Sequence, residues 1–231
     1  MDKDIKISVK EMAQAGVNFG HRVSKLHPKM KPYVQNIKNN VHIFDLEKTS
    51  KEFSKALNFI SKIVTEGKTI VFVGTKIQLK RLIQTAAEEC EVPYVTERWL
   101  GGTFTNFETI QKRVSYFKEL EKKRETGELE KYTKKERLNF DREIAKLKIK
   151  FEGVRNMQKL PDAVIIFGLD KDITAAREAK RKGIKIVAIA DSNVDPDIAD
   201  YPIPANDDAI SAVSYIIDKV KETILNSKPA K

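Results

Sequence analysis

Three short runs, Lys68 to Gly74 (KTIVFVG), Asp162 to Gly168 (DAVIIFG) and Ile184 to Asp191 (IKIVAIAD), constrain the fold more than any other feature of the chain. Each is continuously apolar, rich in β-branched residues and closed by Gly or Asp, with helix-like segments between them. A strand without polar alternation is buried on both faces, so the three belong to a parallel sheet covered by helices on either side. Val92 to Val95 and Tyr201 to Pro204 supply the remaining strands, the latter at an edge because proline cannot donate to a ladder. The expected architecture is α/β, a doubly wound parallel sheet.

The covering helices are legible from their spacing. Leu46, Phe53, Leu57, Ile60 and Val64 recur at helical intervals behind Asp45, a capping residue, and Gly67 stops the segment. Ile77 to Glu91 and Lys171 to Lys182 read as surface helices. Ile210, Val213, Ile217, Val220 and Ile224 form the stripe of a last helix behind Asn206-Asp207-Asp208, whose oxygens can satisfy free amides.

Between Thr103 and Phe151 the pattern changes. Phe107, Ile110, Val114, Phe117 and Leu120 step by three and four, and Phe140, Ile144, Leu147 and Phe151 repeat this after TGELEKYTKKE. One narrow apolar seam on an otherwise charged helix suits two antiparallel helices packed as a coiled-coil hairpin that projects from the sheet. The expected organisation is a basic arm with a short helix over residues 1–44, the sheet domain over 45–102 and 152–226, the inserted hairpin over 103–151 and a tail over 227–231.

Charge then indicates the partner class. The 43 Lys and Arg exceed 33 Asp and Glu, a net charge of +10, so the field of the molecule attracts polyanions. Residues 1–40 carry eight basic and three acidic side chains, residues 105–152 fourteen and ten, and residues 161–210 six and ten. The polyanion footprint is therefore expected on the arm and the hairpin, with an acidic sheet face left for a protein. A single cysteine excludes an internal disulfide, Met1 to Asp4 lacks the apolar core of a signal peptide, and the longest apolar runs are too short to cross a bilayer. A cytoplasmic setting is expected.

Catalytic motifs are weak. Gly74-Thr75-Lys76 follows a strand, where a doubly wound fold binds nucleotide phosphates, but the other glycines of a phosphate cradle are missing, which leaves a turn glycine and an exposed lysine. His21, His27 and His42 match no common metal spacing and have no carboxylate beside them. The acidic stretch DSNVDPD after the third strand reads first as a turn. By contrast, the arm interleaves Arg22, Lys25, Lys29, Lys31 and Lys38 with Phe19, His21, His27 and Tyr33, a mixture of phosphate-neutralising cations and stackable rings that suits structured RNA. A nucleotide-dependent enzyme using Gly74 and Asp191 is the rival reading, and a free RNA-binding regulator a third.

RWLGGTFTNF (Arg98 to Phe107) joins the second strand to the hairpin. Its glycine pair allows a sharp exit, Thr103 or Thr105 can cap the new helix, Trp99 can pack or stack at its root, and Arg98 with free amides can meet an RNA phosphate. Substitution of Gly101 by valine is expected to disturb the hairpin before the sheet.

These segments, together with GVNFGH, HPKMKPYV, NNVHIFDLEKT, IVFVGTK, LPDAVIIF, AIADSNVDPD and IPANDDAISA, run in order from Gly16 to Ala212. In that order the chain resembles the family of the universal second protein of the small ribosomal subunit, in its bacterial form. The resemblance implies a flavodoxin-like, Rossmann-like sheet with an inserted helical hairpin, no catalytic activity and no cofactor or metal. It implies a cytoplasmic, ribosome-bound protein near the head-body junction, with 16S-type small-subunit ribosomal RNA and other small-subunit proteins, including ribosomal protein S-one, as partners. No membrane partner and no homo-oligomer are implied. The expected RNA contacts are His21, Arg22, Lys25, Lys29, Lys31, Tyr33, Lys38, Lys76, Arg98, Trp99, Thr105, Asn106, Lys112 and Arg113. Two departures from the family pattern are Asn18, where many relatives carry histidine, and Ser211 in place of a basic residue; no RNA contact is assigned to Ser211.

Overall fold

The computed structural model describes residues 7–228. Residues 1–6 of the arm and 229–231 of the tail lie outside the described residues. After helix α1 (Val9–Ala15) the arm forms strands, where the sequence reading had a basic arm with a short helix and no sheet of its own. Strands β1 (Phe19–Arg22), β2 (Val34–Lys38) and β3 (Val41–Phe44) form an antiparallel sheet in the order β1-β3-β2. Asn39 and Asn40, at φ 51° and 62°, make the tight turn between β2 and β3, a conformation asparagine tolerates better than most residues. The prolines sit in a short 3-10 segment, Pro28–Tyr33, whose Met30 is fully buried.

Helix α2 (Leu46–Thr65) begins where Asp45 accepts the amides of Glu47 and Lys48 at 3.0 and 3.3 Å. It buries Phe53, Leu57 and Ile60. Strand β4 (Ile70–Val73) leads to helix α3 (Lys80–Glu89), which starts three residues later than its apolar pattern suggests because Ile77 points into solvent at 84% exposure. Strand β5 (Tyr94–Val95) precedes the hairpin helices α4 (Phe107–Glu125) and α5 (Lys134–Phe151). The chain returns through β6 (Ala163–Ile166), α6 (Ile173–Arg181), β7 (Lys185–Ala190), β8 (Tyr201–Pro204) and α7 (Ile210–Ser227).

β4 to β8 form one parallel sheet in the order β5-β4-β6-β7-β8, the flavodoxin-like arrangement, with the proline-bearing β8 at an edge. Alternate residues feed two cores. Phe72, Ile165 and Ile189 face α2, α3 and α7, while Val71, Val73, Ile166 and Ala188 face α6 and the hairpin root. This two-sided burial is what the unbroken apolar runs require.

In the hairpin, Ile110, Val114, Phe117 and Leu120 of α4 are buried with Ile144 and Phe151 of α5, and this seam runs into the second core without a break. A reciprocal capping box between Thr133 and Glu136 starts α5. At the other end Gly153 lies so close to β5 that a Cβ there would sit 2.2 Å from the Tyr94 carbonyl oxygen. That contact seats the returning leg of the hairpin on the edge strand.

Candidate nucleic-acid interface

The loop between β5 and α4 is an anion-binding turn, and its anion is internal. Glu178 of α6, only 6% exposed, places Oε1 where it accepts the Trp99 indole N–H at 3.1 Å and the Gly102 amide at 2.8 Å. Its Oε2 accepts the amides of Phe104 at 2.9 Å and Thr105 at 3.2 Å, and the Thr105 hydroxyl at 3.2 Å. Burial is the largest single influence on this carboxyl and pulls its pKa up, but the converging donors together outweigh it and hold it below the ordinary glutamate value.

Several expectations for RWLGGTFTNF are thereby corrected. The amides expected to meet an RNA phosphate are already bonded to Glu178, because a carboxylate supplied by the fold reaches them first. Trp99 packs: it is 8% exposed and edge-on to Phe104 at 4.9 Å, so its face does not stack on a base. The Thr103 hydroxyl donates to the Leu100 carbonyl, and neither Thr103 nor Thr105 caps α4. The hinge is Gly102, at φ +92°, while a side chain at Gly101 would meet nothing within 4 Å.

The phosphate position after β4 is filled in the same way. Asp172, 1% exposed, accepts the Thr75 amide at 3.0 Å and its hydroxyl at 2.8 Å. Burial pushes the Asp172 carboxyl up, and these donors oppose the shift. A Cβ on Gly74 would sit 2.2 Å from Ile83 Cδ1, so this glycine allows α3 to pack closely against β4. The nucleotide-enzyme reading loses both its amides and its space.

A third group of acids closes the carboxyl ends of β7 and β8. His21 Nδ1 lies 3.0 Å from Asp191 and its Nε2 3.4 Å from Asp208, and the hydrogen bond to Asp191 is the main cause that raises the His21 pKa. The Lys76 ammonium sits 2.7 Å from Asp207 and 2.6 Å from Asp208 with the side chain 13% exposed. Burial, with repulsion from Asp191, pushes the Asp207 carboxyl up to about 7. Lys76 is therefore not the exposed lysine expected from the sequence; buried carboxylates hold it inward. The acidic sheet face is smaller than the charge count suggests, since Asp172, Glu178, Asp191 and Asp207 are buried while Asp170, Asp197, Asp200 and Asp208 remain exposed.

The remaining candidates divide by exposure. Arg22, Lys25, Lys31, Lys38, Arg98, Lys112 and Arg113 are exposed, as is Asn106. Lys29 is half exposed but paired with Asp195 at 2.9 Å and Asp197 at 2.7 Å. Tyr33 is partly buried against the second core, and burial raises its pKa. The outward cations thus lie on the arm, the strand exit and the first turns of α4, while three anion positions behind them hold the chain's own carboxylates.

Comparison with known proteins identifies the family. The model for ribosomal protein S2 matches residues 12–227. This chain belongs to the ribosomal protein S2 family. It is 43% identical over 222 residues to the small ribosomal subunit protein uS2 of Coprothermobacter proteolyticus, covering 96% of this chain and 83% of that protein. The uS2 protein of Nitratiruptor sp. is 42% identical with the same coverage, and that of Francisella tularensis subsp. novicida is 42% identical over 95% of this chain and 92% of its own length. S2 proteins are structural, and this S2-family chain is not an enzyme.

Of the two departures, Ser211 has a side-chain partner, while the buried Asn18 side-chain oxygen has none among the described residues and only its backbone is engaged. Ser211 Oγ donates to the Ala15 carbonyl at 2.8 Å, joining α7 to α1, and the Asn18 carbonyl accepts the Phe44 amide at 2.8 Å in the arm sheet. Sequence reasoning missed Glu178 and Asp172 as site residues. The signal for Glu178 was its place among Ala175, Ala176 and Ala179, which marks the inward face of α6.

Proposed function

We propose that this S2-family chain is a structural constituent of the small ribosomal subunit that binds small-subunit ribosomal RNA through the outward cations of its arm, strand exit and α4. The carrying observation is the sorting of charge: Glu178, Asp172 and Asp207 are buried, whereas Arg22, Lys31, Arg98 and Lys112 are exposed. Internal carboxylates satisfy the loop amides, and the exposed cations of the arm, strand exit and α4 are left to meet a polyanion. In this reading the chain is cytoplasmic, ribosome-bound and surrounded by other small-subunit proteins. The family resemblance alone supports a part in recruiting ribosomal protein S-one near the head-body junction. No helix among the described residues is long and apolar enough to cross a membrane.

Salt titration of binding to small-subunit ribosomal RNA tests the footprint. Each of Lys31→Ala and Arg98→Ala is expected to lower the slope of log K against log salt by about 0.7–0.9. Lys29→Ala is expected to change it less, because Lys29 already has Asp195 and Asp197 as counter-ions. Unchanged slopes for both Lys31→Ala and Arg98→Ala would remove the arm and strand exit from the interface.

A further inference from the structure

We propose that the outward face of α6, carried by Lys171, Arg177, Lys180 and Arg181, is a second binding surface for the sugar-phosphate backbone of small-subunit ribosomal RNA. The inference rests on the reading of this chain as an RNA-binding constituent of the subunit, and it adds a surface outside the arm, strand exit and α4. By charge count residues 161–210 are acidic, with six basic and ten acidic side chains. The fold separates the two signs. All six cations fall between Lys171 and Lys185, on α6 and the turn that leaves it, while the two acids of that segment, Asp172 and Glu178, are 1% and 6% exposed.

Helical spacing decides which way each side chain faces. Ala175, Ala176 and Ala179 are buried in the second core, and Glu178 lies on the same side. Lys171, Thr174, Arg177 and Arg181, spaced by three and four, are exposed on the opposite side with Lys180 beside them. Arg177 and Arg181 are one turn apart, about 6 Å along the axis. Among the described residues, Lys185 alone of the six cations forms an ion pair, with Asp200 at 2.7 Å. Lys180 donates to the Asp197 carbonyl at 3.0 Å, and the Asp197 carboxylate is engaged by Lys29.

Helix stability does not account for this face. Lys180 and Arg181 in the last turn complement the helix dipole, but Lys171 precedes the first turn, where a positive charge opposes it, and Arg177 stands mid-helix. A row of cations without counter-ions on one helix face fits a polyanion. The face is also continuous with the strand exit. Glu178 accepts the Trp99 indole N–H at 3.1 Å and the Gly102 amide at 2.8 Å, which holds its neighbour Arg177 beside the loop that carries the exposed Arg98. The two arginines flank one buried linkage, so a single RNA backbone serves both.

Salt titration of the full chain against small-subunit ribosomal RNA tests the surface with the double variant Arg177→Gln/Arg181→Gln, in which glutamine keeps the helix propensity. The slope of log K against log salt is expected to fall by about 1.4–1.8, the loss of two phosphate contacts. Both side chains are exposed, so circular dichroism and the urea midpoint should match wild type. Lys51→Gln/Lys62→Gln, two exposed positions of α2 on the other side of the sheet, removes the same charge and should leave the slope unchanged. An equal fall in both double variants would reduce the effect to net charge and overturn the surface. A wild-type slope in the α6 variant, as when an acidic protein is the true occupant, would overturn it too; the arm footprint then stands if Lys31→Ala and Arg98→Ala still lower the slope, and falls with it if they do not.

Discussion

Glu178→Ala is expected to destabilise the chain by about 3–5 kcal/mol, by releasing the hairpin from the sheet. The substitution leaves the Trp99 indole and the Gly102, Phe104 and Thr105 amides without their acceptor. Trp99 and Phe104 are buried, so water cannot replace the carboxylate there, and each orphaned donor costs about 1–3 kcal/mol. Urea denaturation measures the loss, and limited proteolysis should show faster cleavage between Arg98 and Phe107. Glu178→Gln should fall between the alanine variant and wild type, because its amide group turns a donor toward donors. The pH dependence has a fixed sign. The Glu178 pKa is lowered on folding, so its contribution is complete above the ordinary glutamate pKa and is lost as pH falls through the lower folded value. Glu178→Gln should lack that acid-dependent step. A wild-type urea midpoint in Glu178→Ala would show that the loop does not depend on its internal anion.

The second large effect is expected at Gly153. An alanine Cβ would lie 2.2 Å from the Tyr94 carbonyl oxygen and 2.6 Å from the Tyr94 ring, and a carbonyl in an edge strand cannot step aside as a side-chain tip can. The returning leg of the hairpin must then lift off β5, at an overpacking cost of about 2–3 kcal/mol. For a chain of this size that corresponds to about 5–10 °C in Tm. Gly101→Ala is the matched control, since nothing lies within 4 Å of its Cβ. Equal melting temperatures for the two variants would contradict the seating of the hairpin on β5.

What the sequence disclosed and what it hid follow one physical division. The sheet, the Asp45 cap and the α7 stripe depend on neighbours within a turn or two, so local spacing suffices. The arm sheet depends on pairing between short strands whose faces are largely exposed, which erases the alternation that marks a strand; the Asn39-Asn40 turn was its only sharp local sign. The carboxylates were misplaced for a different reason. Glu178 meets Gly102 across 76 positions and Lys76 meets Asp207 across 131, and no local pattern reports a partner that distant. Counting their charges therefore overstated the acidic surface, because Asp172, Glu178, Asp191 and Asp207 are buried. The glycine pair of RWLGGTFTNF illustrates both halves: the anion-binding turn was legible, but the identity of the anion was not.

The central claim is that the displayed positive charge belongs to a structural component of the small ribosomal subunit. Sedimentation of a cell extract through a high-salt gradient tests it most directly. Co-migration of the chain with the small subunit after salt has stripped loosely bound cationic proteins is the expected result, and its recovery at the top of the gradient as free protein would contradict the account.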